Sequence, residues 1–403
     1  MLFADRQIVP ALMFHSVGLE AHPWIWNYLA EPVDTFENKL RLLKNKGFNT
    51  VVWDEVVAHV NNSQRLPDNS IMLTFDDGYL DNWVFAYPLL RKYGMRATIY
   101  VSTDFIDPGD EPRKNLESVW HDECGYDDLQ VPGFLRASEI KLMSDSQVID
   151  IQSHAATHTW HLSGNKAIDF YSRVQPDKYP WLAWNLRPDR KAFYLNENQT
   201  KFVPPGTPVF EHDCGIIATR FFPDPEPIEA LADFVDSQGA QDFMSKNDAK
   251  ERIRNYLETC GLGHGWPGRT ESHEERSIRV ERELWEAKQK LEAVVAKPVS
   301  FLSWPNGAYD ADALRLAAVA GFNAWTLGSR DRRRYRNKPG GDVTVLKRIG
   351  TSNKLTVRGV RCRDQGPVLQ YLKIRAHQNS RLWRLALNTF KVFSLLLALV
   401  TAR

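Results

Sequence analysis

Apolar and polar positions follow two rhythms along this chain. Residues 9–17 (VPALMFHSV) stay apolar up to His15, which predicts a first strand ending there. Leu40, Leu43 and Phe48 then recur at helical spacing, with Gly47 as a natural stop. Residues 50–53 predict a second strand and 71–75 a third. A helix over 82–92, a β-rich run at 96–102, a short helix at 138–144 and a strand at 148–152 complete the first half. Strands alternating with helical segments predict a parallel sheet or barrel, with its site at the C-terminal ends of the strands.

The rhythm fails over 162–272, where Pro, Trp, Tyr and Asp are frequent and 226–260 contains helical segments. This stretch reads as a large insertion of mixed loops and helices, not a second independent fold. The rhythm returns over 274–296, where Val280, Leu284, Ala287, Leu291 and Val294 form an apolar stripe ended by Pro298. Residues 299–304 predict a strand, followed by a turn at Pro305, Asn306 and Gly307. A helix at 311–320, a strand at 322–327 and a last barrel strand at 343–349 follow. The expected division is 8–161 and 273–355 for the two parts of the barrel, 162–272 for the insertion and 366–403 for a helical tail.

The tail's apolar run, 392–400, falls short of the roughly 20 residues needed to span a bilayer. No acid follows Asp364, while Lys373, Arg375, Arg381, Arg384, Lys391 and Arg403 remain. Residues 381–403 therefore suit peripheral contact with an anionic membrane, with packing on the barrel or on a second copy as the plain alternatives.

Composition narrows the class. The 403 residues are 43% apolar and 25% charged, as in a soluble globular protein. Lys plus Arg is 51 against 50 for Asp plus Glu, so no global field favours nucleic acid. The four cysteines, Cys124, Cys214, Cys260 and Cys362, form no CxxC pair and read as free buried thiols. Residues 1–17 lack a basic leader followed by a long apolar run, which favours a cytoplasmic location, peripheral at the inner face of the membrane if the tail binds there.

Candidate chemistry lies at two strand ends. After the apolar run at 71–75 come Asp76, Asp77 and Gly78. Neighbouring carboxylates repel unless something positive holds one ionised. A bound cation would do so and leave the other free as a base; an Asp-Gly turn is the plain alternative. His154 and His158 follow the strand at 148–152, four residues apart, and point the same way if they share a helical turn. With Asp77 they make a three-ligand site with open positions, as catalytic zinc uses, or the two-His-one-carboxylate set of iron oxygenases.

The run TFDDGYLDNWVFAYPLLRKYGMRATIYVS, followed by SHAATH, resembles the polysaccharide deacetylase family, carbohydrate esterases with the NodB homology fold. The resemblance covers roughly residues 10–349, interrupted by the insertion. It implies an α/β fold: a distorted, TIM-like (β/α) barrel of the NodB type with a large insertion and a C-terminal helical tail. It also implies metal-dependent hydrolysis of an N-acyl group on a sugar. Asp76 would be the general base, with Asp77, His154 and His158 as ligands of a divalent metal. Zinc is the expected ion, although the set suits others.

The turn at Trp304, Pro305, Asn306 and Gly307 resembles the family's Pro-aromatic-Gly turn, with Asn306 supplying an oxyanion donor from its backbone. The family's Arg before that turn and its C-terminal Leu-x-His run are missing here. Leu12, Met13, Phe14 and His15 instead resemble the start of the rearranged poly-N-acetylglucosamine deacetylases, making His15 the candidate acid. Arg348 is the candidate to hold Asp76 ionised, or a surface strand residue. Ala155 and Thr159 replace the family's usual Ser or Thr and Pro, and His161 either binds substrate or packs.

The expected substrate is an N-acetylated amino sugar of a cell-envelope or extracellular polysaccharide or its precursor. The alternatives are removal of a formyl or other acyl group from a lipid-linked amino sugar, and a non-catalytic carbohydrate-binding homologue.

Overall fold

The computed structural model describes residues 7–328, 335–351, 356–357, 360–361, 366–378 and 381–401. In chain order the principal strands are β1 (Ala11–Phe14), β2 (Ser70–Phe75), β3 (Ala97–Val101), β4 (Ile149–Ser153), β5 (Trp160–Phe170), β6 (Pro208–Cys214), β7 (Phe301–Leu302), β8 (Ala324–Thr326), β9 (Val345–Leu346) and β10 (Arg348–Gly350). The principal helices are α1 (Val33–Asn45), α2 (Trp53–Val60), α3 (Tyr87–Tyr93), α4 (Ala137–Asp145), α5 (Pro225–Ser237), α6 (Ala249–Thr259), α7 (His273–Val295), α8 (Ala311–Val319), α9 (Gly366–His377) and α10 (Arg381–Thr401).

One parallel sheet runs in the order β9-β8-β7-β4-β3-β2-β1-β10. β9 and β10 are separated only by Lys347, yet β9 pairs with β8 and β10 pairs with β1. The expected last strand, 343–349, is thus two short strands, one at each end of the order, and it closes the sheet into a barrel.

The pleat sorts the apolar residues into two layers. Leu12, Leu73, Ile99, Ile151 and Leu302 belong to a large cluster shared with α1, α3, α4 and α7. Ala11, Met72, Tyr100, Phe301 and Leu346, one step out of phase, fill the barrel. β2 is buried on both faces, as a central parallel strand must be.

α7 begins with a capping box between Ser272 and Glu275, and it buries Val280, Leu284, Ala287, Leu291 and Val295. The last stripe position is Val295; Val294 is only partly buried. Trp53, expected in a strand, opens α2 instead. The Glu55 carboxylate accepts the Val52 N–H at 2.9 Å, which starts a helix, and the indole stacks on Phe301 at 4.0 Å. The preceding strand is only Asn49–Thr50.

The segment 162–272 was expected to hold loops and helices, but β5 and β6 make a long antiparallel hairpin through it. Ser163, Gly164, Asn165 and Lys166 disguise the strand, and the ladder shifts register between Leu162 and Ala167. A separate cluster including Phe210, Phe243 and Trp266 lies between this hairpin, α5 and α6.

The tail also departs from expectation. α10 is a continuous helix from Arg381, and its 19-residue stretch Arg381–Leu399 is long and apolar enough to cross a membrane. The run at 392–400 understated it, because Leu382, Trp383, Leu385, Ala386 and Leu387 extend the apolar composition backwards. One side of α10 packs on α9 through Leu387, Phe390 and Ala398 around Leu369. Of the described cysteines, all free, Cys214 is buried, Cys124 partly buried and Cys260 exposed; Cys362 lies outside the described residues.

Candidate active site

Thr74 faces the barrel interior, so Asp76, two residues on, continues that face past the end of β2. Its N–H donates to the Phe14 carbonyl at 3.1 Å, and its carboxylate is buried. The next two residues turn sharply: Asp77 has φ 76° and Gly78 φ 80°. Asp tolerates the left-handed region better than most residues, and Gly occupies it freely. Val101 crowds the Gly78 position, where a Cβ would sit 3.3 Å from its side chain.

β4 delivers the histidines in the same way. The His154 N–H donates to the Val101 carbonyl at 2.9 Å, which fixes the exit from the strand. Ala155 at φ 59° and His158 at φ 40° are both left-handed, so the histidines do not lie on an ordinary helical turn. This backbone is held from outside. The Glu283 carboxylate of α7 accepts from the Thr157 N–H and hydroxyl, at 3.2 and 2.7 Å. Lys191 donates to the Thr157 carbonyl at 3.0 Å and to Asp104 at 2.8 Å. Such external supports are how strained backbone persists at a site.

The result is one constellation. Asp77 Oδ1 lies 3.2 Å from His154 Nε2 and 3.4 Å from His158 Nε2. The ligand atoms of the three residues all lie within 4.8 Å of one another. His154 Nδ1 is 2.7 Å from the Ser303 carbonyl, which makes Nδ1 the donor and turns the Nε2 lone pair toward Asp77. Asp77 Oδ1 is buried with no hydrogen-bond donor. One carboxylate and two imidazoles converging on a single point make a donor set that suits a divalent cation. Burial pushes the Asp77 carboxyl up, but His154 and His158 outweigh it and hold it far below the usual range. Burial pushes His158 down to about 4, keeping that imidazole neutral and able to ligate.

Asp76 stands apart from this trio. Arg348 grips it with both arms, Nη1 to Oδ1 at 2.6 Å and Nη2 to Oδ2 at 2.9 Å. Nη2 also donates to Ser303 Oγ at 3.0 Å. Burial raises the Asp76 carboxyl, yet the Arg348 charge leads the effects that bring it below its ordinary value. Arg348 is therefore an inward-facing residue of β10, not a surface one. His15 Nε2 lies 4.0 Å from Asp76 Oδ2.

A cavity of about 380 Å³ exposes these groups to ligand, lined among others by His15, Asp76, Asp77, His154, His158, Asn306 and Arg348. All seven residues singled out from the sequence meet there. Asn306 sits in the turn Pro305–Gly307 at φ 56°. His161 does not line the cavity; it packs with Nε2 against Arg220.

Sequence reasoning missed Ser303, which serves both His154 and Arg348, and the supports Lys191 and Glu283. A serine at a strand end and charges far along the chain carry no local pattern that would mark them.

The polysaccharide deacetylase family matches residues 63–202. YxkH of Bacillus subtilis (strain 168), a polysaccharide deacetylase by name, is 36% identical over 93 residues. That is 23% of this chain, which spans 31% of the relative's length. Among solved structures, a de-N-acetylase from Aggregatibacter actinomycetemcomitans superposes with a TM-score of 0.51 at 15% identity, over 87% of this chain and 98% of that one. The likeness is one of fold. The deacetylase domain of BpsB from Bordetella bronchiseptica gives a TM-score of 0.49 at 16% identity, over 85% of this chain and 96% of that one.

Proposed function

We propose that this chain, whose residues 63–202 match the polysaccharide deacetylase family, is a metal-dependent hydrolase that removes an N-acetyl group from an amino sugar of a cell-envelope polysaccharide or its precursor. The observation that carries the reading is the division of labour between adjacent carboxylates. Asp77 faces two imidazoles, and Asp76 faces a guanidinium. Equivalent groups in a solvated turn would have no reason to differ.

Asp77, His154 and His158 would hold the ion, with zinc the expected choice. When bound, the ion would supply Lewis acidity toward the amide oxygen and acidify the attacking water. Asp76 takes the water's proton, and Arg348 keeps that carboxylate ionised and aimed until it does so. His15, with Nε2 4.0 Å from Asp76 Oδ2, gives a proton to the departing amine. The Asn306 backbone is the candidate donor to the developing oxyanion.

The test is acetate release from N-acetylated amino-sugar oligomers. Asp76→Asn should keep the metal and lower kcat by at least about a hundredfold, the scale of general base catalysis. An Asp76→Asn chain as active as the parent would overturn the assignment. Wild-type protein that binds metal and sugar but releases no acyl group would favour the carbohydrate-binding alternative.

Leu382, Leu385, Val392, Phe393 and Leu396 are each more than half exposed on α10, a helix with no acid in its sequence. We propose that this face rests on an anionic lipid surface, at the inner face of the cytoplasmic membrane, with Arg381 and Arg384 near its start.

A further inference from the structure

Three indoles from separate parts of the chain meet in the lining of the candidate site. Trp26 comes from the loop after β1, Trp160 from the start of β5, and Trp184 from the helix Pro180–Leu186. Their ring centroids lie 6.1 Å apart for Trp26 and Trp160, 5.9 Å for Trp26 and Trp184, and 6.4 Å for Trp160 and Trp184. Trp26 and Trp160 are nearly parallel, 12° between planes, and both are partly exposed. Trp184 is buried behind them, braced edge-on by Phe105 and Tyr194 at 5.1 Å each. The wall reaches the ligand set itself, because Trp160 lies 6.1 Å from the His158 ring at 72°.

We propose that Trp26 and Trp160, backed by Trp184, form a saccharide subsite on which the ring of an N-acylated hexosamine stacks while its acyl group reaches Asp76 and Asp77. A pyranose presents an apolar C–H face and a polar rim, and aromatic planes complement the face. The same cavity supplies polar groups, with His15, Lys347 and Arg348 in its lining. Of the three indoles only Trp184 is buried. Here two remain partly open, at the one place where a sugar bearing the reacting amide must sit. The assignment rests on the deacetylase reading for its substrate class, but not for its geometry.

The full chain carrying Asp76→Asn, which binds without turnover, is titrated with oligosaccharides of N-acetylglucosamine, N-acetylgalactosamine and N-acetylmannosamine. A parallel arm uses polyprenyl-phosphate-linked N-acetylglucosamine, so that polymer and lipid-linked sources separate. Tryptophan fluorescence and calorimetry provide the readouts. Saturable quenching is expected, with Kd weakened about tenfold by Trp26→Ala, the scale of one aromatic contact, and less by Trp26→Phe. Trp285→Ala, at an exposed position of α7, should leave Kd unchanged. In the active chain, Trp26→Ala should raise KM and leave kcat near the parent's. A folded Trp26→Ala chain that binds like the parent, or no saturable change with any sugar, overturns the subsite. Acetate release with a KM indifferent to Trp26→Ala removes the subsite and keeps the deacetylase reading. Trp26-dependent binding without acetate release by the active chain keeps the subsite and removes that reading.

Discussion

Asp76 has both oxygens against one guanidinium, while Asp77, the very next residue, has none. The difference follows from the turn: φ 76° at Asp77 swings its side chain away from Arg348 and toward His154 and His158. The pair of carboxylates, the pair of histidines, His15, Asn306 and Arg348 were legible in the sequence because each belongs to a short motif or a strand end. Ser303, Lys191 and Glu283 were not, since each acts through contacts far away in sequence. Arg348→Met tests the arrangement at this scale. Without the guanidinium the Asp76 carboxyl rises, so the acidic limb of the kcat/KM profile should move to higher pH. A carboxyl held low in the folded state contributes stability above its unfolded pKa, and that contribution is lost as pH falls through the folded value. Leaving Asp76 buried and unpaired should also destabilise the chain by about 3 kcal/mol near neutral pH. An unmoved limb in the variant would mean that Arg348 does not control the base.

Among the elements, those with strong period or firm stops were readable. α7 follows its apolar stripe, and β2 follows a run buried on both faces. β5 hid because polar residues interrupt it where the ladder slips, and α2 hid because Trp53 looks like strand while Glu55 caps a helix. In α10 the apolar run at 392–400 misled, since a helix counts composition over its whole length and tolerates Arg384 and Lys391 on the way. The lipid proposal for this helix is tested with full-length protein and vesicles. Sedimentation with phosphatidylserine-containing vesicles should exceed that with phosphatidylcholine alone and fall as salt rises. Leu385→Glu with Phe393→Glu should abolish it while leaving acetate release from soluble sugars intact. Equal sedimentation of the doubly substituted chain would remove the lipid role.

For the molecule as a whole, closure places the site. A seven-residue stretch read as one strand is two, and its halves pair with β8 and β1, so Arg348 arrives beside Asp76 from the far end of the chain. Alternation of strands and helices announced the barrel; nothing local could announce which strands would be neighbours, because pairing is decided by packing across the whole sheet. The central claim is that Asp77, His154 and His158 hold one divalent ion. The direct measurement is metal content of the purified chain by mass spectrometry, with X-ray absorption at the metal edge, for the parent and for Asp77→Asn, His154→Ala and His158→Ala. The account predicts one ion per chain with two imidazoles in its shell, lost or greatly weakened in each variant and kept in Asp76→Asn. An ion retained unchanged in all three ligand variants would contradict it.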